Sequence, residues 1–91
     1  MPKFLIERDI PEAGNLTREQ LVAISKSSCR TLRGIDPEVQ WLTSFVTADK
    51  IFCIYIAPDE EIIRRHAFEG GFPANVITLI HNVVDPSYAD A

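Results

Sequence analysis

Residues 39–46 and 51–56 are two runs rich in β-branched and aromatic side chains, separated only by Thr47-Ala48-Asp49-Lys50. That spacing leaves little except an antiparallel hairpin. A helical signature flanks it on each side. Upstream, Thr17 and Gln20 have the spacing of a capping box, and Leu21, Ser25, Ser28 and Leu32 recur at helical intervals with Val22 and Cys29 alongside. This predicts a helix over residues 18–33, stopped by Gly34. Downstream, Pro58-Asp59-Glu60-Glu61 sets a capping carboxylate and two further acids at a helix's positive end, and Gly70-Gly71 stops that helix after about three turns.

Phe4-Leu5-Ile6 opens a strand that ends in Glu7-Arg8-Asp9 and breaks at Pro11 and Gly14. Asp36-Pro37 divides the first helix from the hairpin, and residues 76–84 form a last β-rich run before Asp85-Pro86. The order is βαββαβ. It predicts an α+β, ferredoxin-like fold: a four-stranded antiparallel sheet in the order 4-1-3-2 with both helices on one face. Residues 1–86 are read as a single domain, and 87–91 as a flexible C-terminal tail with nothing to hold it down.

Two helices cover one side of such a sheet, so the other side reports what the sheet meets. A two-residue loop at Ala48-Asp49 sets Phe45 opposite Phe52 and Trp41 opposite Ile56, and predicts a helix-covered face of Trp41, Phe45, Phe52, Ile54 and Ile56. The open face then carries Leu42, Ser44, Val46, Ile51, Cys53 and Tyr55, with Leu5 and Glu7 if Phe4 and Ile6 point into the core. A longer loop would exchange every assignment in one strand. A face this apolar on a small domain predicts a symmetric homodimer of the dimeric α+β barrel type. Glu7, Cys53 and Tyr55 would line a cavity between the paired sheets; the plainer alternative is a Cys that packs as a small hydrophobe and a Tyr whose hydroxyl meets interface water.

Composition narrows the function classes. Nine Lys and Arg against thirteen Asp and Glu give a net charge of −4, the wrong sign for an extended nucleic-acid surface. No apolar run approaches the roughly 18 residues needed to span a bilayer, and the opening Met-Pro-Lys-Phe-Leu-Ile-Glu-Arg-Asp turns charged too early for a signal peptide. A cytoplasmic protein without membrane contact is expected. Its two cysteines, Cys29 and Cys53, form no CxxC and are read as reduced thiols. A phosphate-binding glycine loop, GxSxG and HExxH are all missing.

Several short segments, taken in order, resemble a known family. They are Phe4-Leu5-Ile6-Glu7-Arg8; Phe52-Cys53-Ile54-Tyr55 leading to Ala57-Pro58-Asp59; His66-Ala67 with Gly71-Phe72-Pro73; and Val84-Asp85-Pro86. Together they resemble a small bacterial family of ferredoxin-like proteins, formerly a domain of unknown function, that contains a nickel-responsive, nickel-binding member. The resemblance spans residues 4–86. It implies a dimer of ferredoxin-like subunits that binds nickel at its surface and buffers or sequesters it.

Candidate ligands come from the side chains' own chemistry. Nickel(II) favours imidazole nitrogen, with carboxylate, amide or water completing the set. His66 has Glu69 at i+3 on the second helix, close enough for both to reach one ion; its neighbours Ile62, Ile63 and Ala67 equally suit a histidine bonded into the fold. His81, on the last strand near Asn82 and Asp85, is either a ligand or a solvated edge residue. The expected function is therefore nickel binding by His66, Glu69 and His81 at a dimer surface. The alternative is a barrel enzyme or small-molecule binder with a histidine or tyrosine as acid or base beside the Glu7, Cys53 and Tyr55 cavity.

Overall fold

The computed structural model describes residues 1–35 and 39–90, so the expected break at Asp36-Pro37 and the last residue of the tail lie outside the described residues. Strand β1 spans Lys3–Asp9, helix α1 Arg18–Ile35, strands β2 Gln40–Val46 and β3 Lys50–Ile56, helix α2 Glu60–Gly70, and strand β4 Val76–Ile80. Short 3-10 turns occupy Ala13–Asn15 and Pro86–Asp90. The four strands form one antiparallel sheet in the order β2-β3-β1-β4, with the two helices packed side by side. This is the α+β ferredoxin-like arrangement expected from the order of elements.

Local signals act where they stand. The Thr17 amide donates to Gln20 Oε1 at 2.8 Å and the Gln20 amide to Thr17 Oγ1 at 3.2 Å, a reciprocal capping box before α1. Gly34 does not stop α1, which continues to Ile35. Asp59 caps α2 by accepting from the Ile62 amide at 3.0 Å, and Gly71 closes it at φ 72°, a left-handed conformation that suits glycine. Strand β4 ends at Ile80, opposite Lys3, where β1 begins. His81 therefore lies just past the strand on which it was expected. An exposed 3-10 turn over Pro86–Asp90 takes in residues 87–90 of the expected loose tail, beside Asp85, whose carboxylate accepts from the Ser87 amide at 2.9 Å.

The hairpin register holds at its tip, with Phe45 opposite Phe52 and Val46 opposite Ile51, and β1 turns Phe4 and Ile6 inward as expected, but along β3 and at the tip of β2 the two faces are the reverse of those expected. Phe4, Ile6 and Arg8 pair with Tyr55, Cys53 and Ile51, and all six are buried on the helix-covered side. Leu5 and Glu7 pair with Ile54 and Phe52 on the open side. Side chains alternate along a strand, so with Phe4 and Ile6 inside, Tyr55 and Cys53 must also be inside. A bulge at Leu42 adds a second change: Trp41 lies opposite Tyr55, not Ile56, while Thr43 pairs with Ile54. The extra residue turns Trp41 to the helix side, the re-aiming that bulges commonly produce.

Candidate functional site

Arg8 alternates with Phe4 and Ile6 along β1 and is carried inward with them, so that only 4% of its surface is exposed. One guanidinium N–H (Nη1) donates to the Pro73 carbonyl, and its carbon lies 5.7 Å from the centre of the Phe72 ring, within cation–π range. Among the described residues it makes no ion pair: the salt bridges there involve Lys50, Arg64 and Arg65. The turn after α2 thus does more than end a helix. A Cβ on Gly70 would stand 2.6 Å from the Phe72 ring, so glycine there lets that ring close down beside Arg8.

Next to Arg8 lies a buried polar trio. Tyr55 Oη and His66 Nε2 share a hydrogen bond of 2.9 Å, and Ser28 Oγ of α1 makes long contacts of 3.4 Å to both. His66 is fully enclosed, with its ring 5.4 Å from that of Tyr55 and 6.1 Å from that of Phe72. Its Nδ1 has no partner among the described residues. Unpaired buried N–H groups are rarer than unpaired acceptors, which assigns the proton to Nε2, donating to Tyr55, and leaves a lone pair on Nδ1. Burial, and then the Arg8 charge, push the His66 pKa down to about 4, against an opposing pull from Glu69. Burial raises that of Tyr55. Both side chains are neutral near pH 7.

Arg8, Ser28, Tyr55 and Phe72 line a cavity of about 460 Å³ between α1 and the sheet, with His66 sealed behind them. Leu21 and Ile24 of α1, Trp41 and Phe72 supply apolar wall; Arg8, Ser25, Ser28 and Tyr55 supply polar atoms. On the β2 side a second chain runs from Trp41 Nε1 to Ser44 Oγ at 2.9 Å, and from Ser44 Oγ to Cys53 Sγ at 3.0 Å. The volume falls within the roughly 300–1,000 Å³ of small-molecule sites, and the mixture of mostly apolar wall with a few convergent polar groups is typical of them.

The expected site residues are dispersed by this geometry. Cys53 and Tyr55 reach the cavity, but Glu7 lies on the other face of the sheet, where it meets Lys50 at 3.6 Å; the expected trio cannot share one cavity because adjacent β1 positions point opposite ways. The cavity itself lies under the helices, not on the open face. His66 is sealed inside, whereas Glu69 turns outward to Arg65 at 3.1 Å, so the two do not converge on an ion. His81 is exposed, beyond β4. Among the described residues no group of three or more His, Cys, Asp or Glu could hold a metal ion, so the described donors of one subunit do not make a closed nickel site.

The residues missed from the sequence are Arg8, Ser28 and Phe72; Trp41 lies on the helix-covered side as expected, though opposite Tyr55 and not Ile56. For Arg8 a signal existed: once Phe4 and Ile6 are set inward, the period of two sets Arg8 inward as well. No helix is long and apolar enough to cross a membrane among the described residues.

Comparison with known proteins gives two matches. The model of a family described as "Nickel responsive protein SCO4226-like" matches residues 4–80. The crystal structure of SCO4226 from Streptomyces coelicolor A3(2) superposes with a TM-score of 0.77 at 15% identity, covering 90% of this chain and 99% of that one; at that identity the likeness speaks for the fold. No curated protein matches the chain.

Proposed function

The chain belongs to the SCO4226-like family of nickel-responsive proteins, and from that premise we propose that it is a binding protein whose helix-side cavity takes a small organic molecule. The observation that carries this reading is the cavity itself: about 460 Å³, walled by Trp41, Phe72 and α1, with Arg8, Ser28 and Tyr55 supplying polar atoms. An apolar space of this size beside a buried cation is a poor use of a small core, because close packing is what stabilises such a domain. A ligand restores the missing contacts. Trp41 is the only tryptophan and lines the cavity, so its emission reports occupancy. Small aromatic probes, neutral and anionic, should change that emission saturably, and Ser25→Phe, which fills the space from α1, should abolish the change. A parent protein unresponsive to every probe would overturn the reading.

A second reading concerns nickel, and it is favoured by the family's description together with the exposure of His81. In this reading the metal is met by His81 and exposed carboxylates at a dimer surface, outside the fold. The open face supports such a dimer: Leu5, Phe52, Ile54 and Ile56 are only partly covered and Phe45 is 56% exposed, a patch suited to a second copy. Calorimetric titration with nickel should show binding that His81→Ala weakens and His66→Gln leaves alone. A parent that binds no nickel removes this reading, and equal binding by His81→Ala removes His81 as the ligand.

A further inference from the structure

A guanidinium loses strong hydration when it is buried, and the loss is normally offset by a carboxylate. Arg8 is 96% covered, since 4% of its surface remains exposed, yet no carboxylate of the described residues pairs with it. Its partners among the described residues are one backbone carbonyl through Nη1, the face of Phe72 and the neutral Tyr55 hydroxyl nearby. A carbonyl and a ring dipole stabilise a cation without neutralising it. The Tyr55 hydroxyl also lies close enough to feel the guanidinium's charge and hydrogen-bonding, but no carboxylate of the described residues takes the other edge of the fork, Nε with Nη2, and the side chain lines the cavity. That edge is the geometry a carboxylate engages with two parallel hydrogen bonds.

The neighbours fit an anion as well. His66 and Tyr55 are neutral and bonded to each other, so neither competes for Arg8 as a counter-ion. The remaining wall is mostly apolar, with Leu21, Ile24 and Trp41 beside the neutral hydroxyls of Ser25, Thr43 and Ser44, and among the described residues Arg8 is the one cationic side chain that lines the cavity. One fixed positive charge against an apolar chamber suits a singly charged ligand that carries a hydrophobic body. A phosphate dianion would bring more charge than the site can balance and would leave the apolar wall unused.

We infer that the helix-side cavity binds an organic monocarboxylate with an aromatic or apolar body, its carboxylate seated on Arg8 and its body against Trp41 and α1. The inference rests on the cavity reading above and names the class of ligand for the same site. Three probes, phenylacetate, phenylacetamide and acetate, separate charge from body. Titrated against the Trp41 emission of the unaltered protein at constant ionic strength, phenylacetate should bind at least about tenfold more tightly than the other two, as expected of a charge-assisted pair inside a low-dielectric site. Arg8→Gln should remove the preference for phenylacetate over phenylacetamide, and Arg8→Lys should keep part of it. The comparison of the three probes on the parent decides the matter even if Arg8→Gln does not fold.

Equal binding of phenylacetate and phenylacetamide would overturn the carboxylate inference while leaving the cavity reading intact. Equal binding of acetate and phenylacetate would overturn the apolar body. If none of the three binds at up to about 10 mM, an affinity weaker than roughly 3 kcal/mol, the inference fails, and if the wider set of neutral probes also gives no response the cavity reading fails with it.

Discussion

The two faces of the sheet carry opposite mixtures. The helix-covered face buries Ile6, Ile51 and Cys53 but also Arg8, Tyr55 and, from the helices above, Ser28 and His66. The open face shows Leu5, Phe45, Phe52, Ile54 and Ile56, with its charges gathered at the β1–β3 end, where Lys50 lies 3.6 Å from both Glu7 and Asp9. Polar groups are thus taken inside and apolar groups left outside, against the usual balance. The difference teaches that neither face is explained by stability alone. Inside, a cation and a hydroxyl–imidazole pair are held beside empty space, which is how ligand sites are built; outside, an apolar surface is only partly covered.

The sharpest way to break the comparison is to put the same charge on neighbouring residues of β1. Ile6→Asp buries an unpaired carboxylate beneath the helices and should cost about 3–5 kcal/mol, enough to unfold most of the protein. Leu5→Asp, one residue away, should leave the monomer folded and act on self-association instead. Denaturation curves and sedimentation of the two variants check this, and equal destabilisation by both would mean that the faces do not differ as described.

Acid should act on the helix-covered face alone. The folded His66 has its pKa pushed down to about 4, against about 6.5 for an unfolded histidine. In that window the unfolded chain takes up a proton that the folded chain refuses, so stability is fully present above about pH 6.5 and declines as pH falls toward 4. The loss reaches about 3 kcal/mol at most. His66→Gln, which cannot titrate, should flatten the fall between about pH 6.5 and 5, before most carboxylates protonate. A parallel fall in parent and variant would assign the acid sensitivity elsewhere.

The smallest effect belongs to the charges of the open face. Lys50→Ala removes both contacts to Glu7 and Asp9, yet Lys50 is about half exposed, and pairs of this kind contribute about 0–1 kcal/mol. Thermal unfolding at low and high salt should barely separate parent from variant. A large loss would mean that this face is covered and dry in the protein as it exists in solution.

Much of the fold is legible in particular residues. Thr17 and Gln20 mark the start of α1 because their side chains bond each other's backbone, and Asp59 marks α2 in the same local way. The hairpin tip is legible because a two-residue loop leaves only one register for Phe45 and Phe52. The faces were not. Residues 51–56 are apolar throughout apart from the thiol and phenol of Cys53 and Tyr55, so the period of two that normally separates inside from outside has no contrast to work on. The Leu42 bulge then shifted the register of β2, so that Trp41, on the expected side, lies opposite Tyr55 and not Ile56.

What the sequence by itself determined is the order βαββαβ, the helix starts and the hairpin, because each depends on contacts within a few residues. Only the tertiary structure decided that Arg8 is a buried cation without a counter-ion among the described residues, that Tyr55 meets His66 across 11 positions and Ser28 across 27, and that Pro73 reaches back 65 residues, with Phe72 beside it, to hold Arg8. These are properties of juxtaposition. Burial and charge compensation arise when α1, α2 and β1 are brought over one another, and no local pattern carries the identity of the neighbour that packing will supply.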